Sequence, residues 1–286
     1  MKKKIELASE FLAKNETFFR CPFCHTTMNG CGISLICENR HQFDLSKKGT
    51  LYFLKKAVDT GYTKKMLAPR GRIIACGMYD KMLEKLAEFL PKNANVLDAG
   101  AGEGGFLAKL ACLQNLGIKF GIDISKDAIQ LATNHALEET LWCVADLTRL
   151  PFETGAFDCI LNIFSPSHYG ELQRALKEDG VLIKVIPEEH YLEELRLAFY
   201  PDDEQKQHYS NAEVLAKFQQ EMNVAAMERV SYTFDLPKEN QLDLLEMSPL
   251  EWGVTEEVKR ELQKHPLEKI TVDVLILVGE KREIVG

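Results

Sequence analysis

The chain has 286 residues, of which 45% are hydrophobic and 27% are charged, which is ordinary for a globular protein with one large and one small domain. No apolar leader and no uncharged apolar run of about eighteen residues occurs, so we expect no signal peptide, no membrane span and a reducing, cytoplasmic setting for the eight cysteines. The formal net charge is −8, yet residues 1–72 carry 14 Lys and Arg against 6 Asp and Glu, which predicts a localised basic face for an anion such as nucleic acid.

Four residues with metal-binding side chains follow the first twenty positions. Cys21 and Cys24 are separated by two residues, and Cys37 and His41 complete the pattern Cys-x2-Cys-x12-Cys-x3-His. Three thiolates and one imidazole fill a tetrahedral zinc shell and leave no position for substrate, so the sequence predicts one structural zinc ion. Cys31 has glycines on both sides, which suits a turn, and is the weaker ligand candidate. A redox Cys-x-x-Cys pair, the other interpretation, would normally lie beside a βαβ pattern that is missing here.

The segment after the zinc pattern alternates basic and aromatic residues. Such a segment is typical of a surface that binds phosphates and stacks on bases, although a solvated loop would carry similar lysines. The expected organisation is an N-terminal extension (1–20), a zinc-binding module for RNA recognition (21–60) and a catalytic domain (61–286). The residues of the basic segment are Lys47, Lys48, Tyr52, Phe53, Lys55, Lys56, Tyr62, Lys64, Lys65, Arg70 and Arg72.

A glycine-rich strand–turn–helix signal begins the second module. Residues 94–98 indicate a buried strand, four glycines between positions 100 and 105 indicate a tight turn, and a helix follows from Phe106. Strand–helix alternation then predicts a doubly wound α/β sheet, with ligands bound outside the carboxyl ends of the strands. The later strands are expected at 119–124, 142–146, 157–164 and 180–187, with a terminal pair at 229–236 and 270–278.

The acidic residues at the strand ends indicate the type of cofactor. Asp98 directly precedes the glycines, where its charge would repel a pyrophosphate and would instead suit the ammonium group of S-adenosylmethionine. Gly100 and Gly102 would let the backbone approach that cofactor. Asp123 is placed to bind ribose hydroxyls and Asp146 to bind the adenine amino group. The alternatives are helix capping by these acids and a Rossmann-like oxidoreductase.

The order of these motifs resembles a known family. The zinc knuckle, the basic linker, the turn 98–104 and the segment 163–166 together look like the bacterial 23S rRNA (guanine-N1)-methyltransferases, from Cys21 through the final strand. The segment 164–171 is closest to the Gram-positive branch, whose hairpin-loop guanine lies near the macrolide site of the peptide exit tunnel. The resemblance implies a seven-stranded class I S-adenosylmethionine-dependent methyltransferase with a small zinc module, a 23S rRNA hairpin as substrate, a homodimer, and an effect on macrolide susceptibility.

The resemblance also assigns roles to individual residues. It implies that zinc is bound by Cys21, Cys24, Cys37 and His41, and that S-adenosylmethionine is contacted by Tyr79, Gly102, Glu103 and His190.

Asn162, at the end of the fourth strand, is a candidate for holding the target base by its Watson–Crick edge; the sequence names no general base. Loss of the zinc module is expected to harm RNA recognition more than cofactor binding. Two other classes stay open: a methyltransferase of a small molecule or protein with a purely structural zinc module, and an RNA-binding protein that keeps the fold without activity.

Overall fold

The computed structural model describes residues 2–282, so the last four residues of the predicted catalytic domain, 283–286, lie outside the described part. None of the helices in residues 2–282 combines the length and apolar character needed to cross a membrane. The helices are α1 (Lys4–Asn15), α2 (Lys64–Ala75), α3 (Asp80–Ala87), α4 (Gly105–Leu113), α5 (Lys126–Ala132), α6 (Tyr169–Ala175), α7 (Glu193–Phe199), α8 (Glu204–Gln207), α9 (Ala212–Glu221), α10 (Gln241–Glu246) and α11 (Glu256–Lys264). The strands are β1 (Met28–Cys31), β2 (Ser34–Cys37), β3 (Gln42–Asp44), β4 (Leu51–Tyr52), β5 (Val96–Ala99), β6 (Lys119–Asp123), β7 (Thr140–Val144), β8 (Phe157–Ile163), β9 (Leu176–Pro187), β10 (Asn223–Asp235) and β11 (Lys269–Glu280).

The large sheet confirms the predicted fold class and adds one strand to it. Its order is β10-β11-β9-β8-β5-β6-β7-β4, with parallel pairing from β4 to β9 and antiparallel pairing of β11 with both β9 and β10. Seven of these strands form the expected sheet with its C-terminal antiparallel pair. The eighth is β4, which comes from the basic segment and pairs with β7 at the sheet edge. This strand was not predicted from the sequence because only two residues form it.

Successive side chains along the central strands point to opposite faces of the sheet, and both faces are buried. On β5, Val96 belongs to the core under α3, α4 and α5, whereas Leu97 belongs to the core on the opposite face. Parallel strands covered on both sides read as continuous apolar runs, which is why they were recognisable in the sequence. This arrangement leaves the carboxyl ends of β5, β6, β8 and β9 to form one edge.

The N-terminal part covers the second face. The connection 145–156 between β7 and β8, all of which the structure describes, contains no helix, and α1 and the small sheet β1-β2-β3 pack there instead. The ring of Phe120 on β6 lies 5.5 Å from the ring of Phe11 and 5.5 Å from that of Phe19. Each buried phenylalanine contributes roughly 1.5–3 kcal/mol. The N-terminal extension and the zinc module therefore share a hydrophobic core with the sheet, while their division at residues 20 and 60 stays a prediction.

Candidate functional site: a zinc cluster and a ligand-binding sheet edge

The four predicted zinc ligands lie together. Their ligand atoms are all within 4.8 Å of one another. Cys24 Sγ is 3.5 Å from Cys37 Sγ, and His41 Nδ1 is 3.4 Å from the sulfurs of both Cys21 and Cys37. In a tetrahedral site with Zn–S of about 2.3 Å and Zn–N of about 2.0 Å, two sulfurs lie about 3.8 Å apart and a sulfur and a nitrogen about 3.5 Å apart. The donor set and its spacing therefore fit a structural zinc ion.

The surroundings of the cluster affect its thiols differently. The Thr26 hydroxyl lies 3.3 Å from Cys24 Sγ, and hydrogen bonding from Thr26 lowers the pKa of Cys24 to about 5. Burial raises the pKa of Cys21 to about 11, a shift that a bound divalent cation would overcome because a coordinating thiol is deprotonated. Cys31, the weaker candidate, is exposed and stands outside the cluster.

Asp98 is the central group at the carboxyl edge of the large sheet. Its side chain lies at the end of β5, is 2% exposed, and has no hydrogen-bond partner for Oδ2 in the described part of the chain. Burial, reinforced by the charges of Asp123 and Glu103, raises the pKa of Asp98 to about 8. An unpartnered buried carboxylate is costly, and a ligand ammonium would supply the missing partner. This edge therefore fits the methionine part of S-adenosylmethionine.

The glycine turn has positive φ angles that residues with a side chain rarely adopt. Gly100 has φ +90°, and a Cβ there would lie 1.9 Å from Ser165 Oγ. Gly102 has φ +57° with nothing within 4 Å of a Cβ, so the space beside it is open to a ligand. Asp123 Oδ2 accepts a hydrogen bond from Gly102 N at 3.0 Å, and Oδ1 accepts one from Ser125 N at 2.8 Å. Asp123 thus fixes the turn, and its contact with ribose stays a prediction.

Glu103 brings an unexpected partner to this edge. It is 5% exposed, its Oε1 accepts a hydrogen bond from Gly105 N at 3.3 Å, and its Oε2 lies 3.9 Å from Arg70 Nε. The Arg70 guanidinium also lies 5.7 Å from the centre of the Phe106 ring. Arg70 was expected among the RNA-binding residues, and this prediction was wrong because α2 directs it into the cofactor edge.

An aromatic cluster closes the same edge. Tyr79 is buried, its hydroxyl lies 2.7 Å from the Tyr191 hydroxyl, and its ring meets Phe106 at 5.3 Å and Phe164 at 5.9 Å. Tyr79 thus lies at the edge expected to bind the cofactor, and its contact with the cofactor stays a prediction. Sequence reasoning missed Tyr191, Phe106 and Phe164, since an aromatic residue beside a strand end is indistinguishable from core until the strands are placed.

Two other predicted cofactor residues have partners of their own. His190 is half exposed, and its Nδ1 lies 3.1 Å from Glu193 Oε2. No hydrogen bond within residues 2–282 joins His190 to Asp98, and it is the next residue, Tyr191, that reaches the aromatic cluster. Asp146 Oδ1 accepts hydrogen bonds from the backbone and hydroxyl of Thr148, both at 2.8 Å, and so shapes the turn after β7. Cofactor contacts by His190 and Asp146 stay predictions.

A cavity of about 560 Å³ adjoins the glycine turn above the ends of β8 and β9. This volume lies within the ~300–1,000 Å³ of typical ligand pockets, and we call it the acceptor pocket. Asn162 lies beneath it and is fully buried, with Nδ2 donating to Ala99 O at 3.0 Å and to Pro166 O at 2.9 Å. The amide therefore holds the loop 164–167, and direct contact of Asn162 with a base stays a prediction. Lys184, which sequence reasoning missed, also lines this pocket.

A basic groove of about 330 Å³ lies between the zinc module and the large domain. Lys47, Lys48 and Lys126 line it together with Tyr52, and none of these lysines forms an ion pair within the described residues. One predicted stacking contact proved wrong. Phe53 is 2% exposed and cannot stack on a base. Arg72 donates to Asp243 through hydrogen bonds of 2.5–3.0 Å while its side chain is 56% exposed, so its contact with RNA stays a prediction.

The fold and its carboxyl edge define a class I S-adenosylmethionine-dependent methyltransferase with an N-terminal zinc ribbon. A family model described as "Methyltransferase domain" matches residues 90–246, and a zinc-ribbon model described as "RlmA, N-terminal" matches residues 19–54. Among solved structures, one titled "Crystal Structure of the [4+2]-Cyclase SpnF" is similar with a TM-score of 0.50 and 16% identity, covering 76% of this chain and 94% of that chain. At this identity the likeness concerns the fold alone, which does not define the reaction.

Two curated relatives narrow the class. The Bacillus subtilis (strain 168) protein named "Putative 23S rRNA (guanine-N(1)-)-methyltransferase YxjB" is 40% identical over 277 residues, 93% of this chain and 98% of the relative. The Streptomyces fradiae "23S rRNA (guanine(748)-N(1))-methyltransferase" is 31% identical over 62% of this chain and 66% of that protein. The chain belongs to the zinc-ribbon methyltransferase family in which these relatives carry the name 23S rRNA (guanine-N1)-methyltransferase. The resemblance read from the sequence is thereby confirmed.

Proposed function

We propose that this protein transfers a methyl group from S-adenosylmethionine to N1 of a guanine in a hairpin loop of 23S rRNA. The observation that carries the proposal is the path of the linker between the zinc cluster and the acceptor pocket. Lys55 Nζ lies 4.6 Å from the centre of the Phe23 ring, which meets the His41 ring at 5.5 Å. At its other end the linker is anchored by Ser125 Oγ, which donates to Tyr62 O at 3.2 Å, and Tyr62 lines the acceptor pocket. A basic segment of the chain thus leads from the zinc ribbon to the acceptor pocket.

The cofactor would be held at the edge already described. Asp98 would accept a hydrogen bond from its ammonium group, and Gly100 and Gly102 would leave room for its methionine part. Asp123 would bind the ribose and Asp146 the adenine. Tyr79, Glu103 and His190 complete the proposed set of contacts. When bound, S-adenosylmethionine supplies an activated methyl group for in-line displacement, so the protein's work is to orient the acceptor and exclude water.

The RNA would be held by charge and admitted one base at a time. Lysines of the basic groove would bind phosphates, a contribution that weakens steeply with salt. The target guanine must leave its stack to enter the acceptor pocket, which is easier in a hairpin loop than in a helix. The zinc ribbon, with Cys21, Cys24, Cys37 and His41 as ligands, would hold the hairpin beside the pocket.

Three finer parts of the proposal come from the resemblance. We propose a cytoplasmic location, a homodimer whose two copies form the walls of an RNA cleft, and an effect of the modification on macrolide susceptibility. Light scattering of the purified protein would test the dimer. Comparing susceptibility in cells with and without the gene would test the effect on macrolides.

The function is tested by methyl transfer to defined RNA. Purified protein, labelled S-adenosylmethionine and unmodified 23S rRNA should give labelled RNA, and primer extension should stop at the product guanine because a methyl on N1 blocks Watson–Crick pairing. The Asp98→Ala variant should give no label. Labelling of small metabolites or protein in place of rRNA would contradict the proposal.

A further inference from the structure

Lys184 is a buried cation without an acidic partner. It lies on β9 directly opposite Asn162 of β8, is 3% exposed, and no carboxylate within residues 2–282 forms an ion pair with it. Its Nζ donates to Asn162 Oδ1, to Ser165 O at 2.9 Å and to Ser167 Oγ at 2.9 Å. Burying an ammonium group without a counter-charge is costly, so a role beyond stability is expected of this side chain.

The three partners of Lys184 would also satisfy its neutral form. Asn162 Oδ1 and Ser165 O can only accept hydrogen bonds, so they use two of the amine protons. The Ser167 hydroxyl can either accept or donate, and its Oγ lies 2.8 Å from Asn162 Oδ1 as well as 2.9 Å from Lys184 Nζ. If the amine loses its third proton, the hydroxyl turns toward the free lone pair and no buried group loses its partner. The site therefore tolerates both protonation states.

We propose that Ser167 and Lys184 form a proton-accepting pair for the guanine in the acceptor pocket, an inference that rests on the proposed function. Ser167 lines the pocket and is the group that would touch the base, while Lys184 acts through it as a positioning residue. Ser167 Oγ takes the proton from guanine N1 as its own proton passes to Lys184 Nζ. The freed lone pair on N1 forms the bond to the methyl carbon, and the electron pair of the broken carbon–sulfur bond stays on sulfur. The Lys184 ammonium then returns its proton to water.

The electrostatic setting agrees with this role. Burial lowers the pKa of Lys184 to about 8, so its neutral form is accessible near neutral pH, as a general base requires. Other titratable groups face the same pocket: Tyr62 ahead of α2, Tyr169 on α6, Tyr209 ahead of α9, and Glu213 and Lys217 on α9. Burial raises the pKa values of Tyr169 and Tyr209, so neither tyrosine titrates in the range in which Lys184 does.

The test is the pH dependence of single-turnover methyl transfer to 23S rRNA. In the wild type the rate should rise about tenfold per pH unit at low pH and level off once Lys184 is neutral. Lys184→Met and Ser167→Ala should each lower the rate by about 10²–10⁴-fold at neutral pH and abolish this inflection. Lys184→Arg should be as slow as Lys184→Met, because a guanidinium keeps the charge but cannot accept the proton.

Controls separate the base from a structural role. Lys177→Met removes a lysine of the same strand that is paired with Asp158 outside the pocket, and should keep the inflection. Cofactor binding should be alike in all variants, and thermal unfolding of each variant shows how far the substitution changes the stability of the fold. Independently of activity, NMR of protein labelled at lysine Nζ should show the Lys184 signal titrating near pH 8, and this signal should vanish in Lys184→Met. Burial also lowers the pKa of Lys119, and the Lys119 signal should persist in that variant.

Three results would overturn the pair. They are full rescue by Lys184→Arg, an unchanged inflection in Lys184→Met, and an ordinary titration of Lys184. These outcomes differ from failure of the proposed function, in which the wild type itself would leave guanine N1 of the rRNA unmethylated.

Discussion

Replacing Asp98 by Asn should stabilise the free protein while weakening its affinity for the cofactor. The pKa of this carboxyl rises from an ordinary 3.8 to about 8 in the fold, mainly through burial. Between these values the folded protein holds a proton that the unfolded chain has lost, so stability falls by about 1.4 kcal/mol for each pH unit. Over the whole interval the loss reaches about 6 kcal/mol as an upper limit. Asn is the uncharged isostere and should escape this loss.

Urea unfolding of both proteins without cofactor, at pH 5, 6.5 and 8, measures the effect. At pH 5 Asp98 is protonated in the folded protein but already ionised in the unfolded chain, so the variant should be more stable by up to about 1.6 kcal/mol, and the difference should grow as the pH rises. At pH 8 the variant should be more stable by at least about 1 kcal/mol, with local relaxation accounting for any shortfall from the limit. Calorimetry should show cofactor affinity reduced by about ten- to a hundredfold, the range for losing a hydrogen bond to a charged group.

If the free energies of unfolding of the two proteins changed with pH in parallel, the pKa of Asp98 would not be raised by burial, and the predicted gain in stability would be wrong. Unchanged cofactor affinity in Asp98→Asn would refute its role as the ammonium partner. The two measurements are separate, so a structural error and a functional error can be told apart.

Two further perturbations test the turn and the groove. Gly100→Ala should lower cofactor affinity at least tenfold and also lower Tm, because its Cβ would lie 1.9 Å from Ser165 Oγ on a backbone with φ +90°. Calorimetry measures the affinity and thermal unfolding measures Tm. Wild-type values of both would mean that the turn can accept a side chain at this position. The double change Lys47→Ala and Lys48→Ala should reduce the slope of log affinity for RNA against log salt by about two and leave cofactor affinity unchanged. An unaltered salt slope would place the phosphates elsewhere.

The sheet was predictable because its central strands are continuous apolar runs ending in acids and glycines. β5, β6, β8 and β9 therefore appear at their expected places, although β9 begins at Leu176, four residues before the predicted start. The zinc ligands were predictable because their spacing is local. β4 was not, since a two-residue strand has no periodicity and depends on a neighbour, β7, that lies almost ninety residues further along the chain.

The candidate site was predictable only where a residue follows directly from a strand end. Asp98 satisfies this condition, and its orphaned carboxylate is a property that no sequence pattern reveals. Arg70 and Arg72 looked alike in the sequence as linker cations, yet their partners, Glu103 and Asp243, lie 33 and 171 residues away. Lys184 was not recognised because it lies in an apolar strand, where a single lysine suggests that the strand is at an exposed edge. The sheet order shows instead that β9 lies between β11 and β8.

Removing zinc should unfold the whole protein in one transition, which differs from the expectation that the ribbon serves mainly RNA recognition. Cys21 is fully buried in the core that Phe19 and Phe120 share, and the strand of Phe120 ends at Asp123 beside the glycine turn. A structural zinc ion contributes about 10 kcal/mol or more to folding, which is comparable to the ~5–15 kcal/mol of a typical domain. Chelation or Cys24→Ser should therefore lower Tm in a single step, release one zinc ion per chain and weaken cofactor binding together with RNA binding. Two separate transitions, or a fully folded metal-free protein, would show instead that the sheet does not depend on the ribbon.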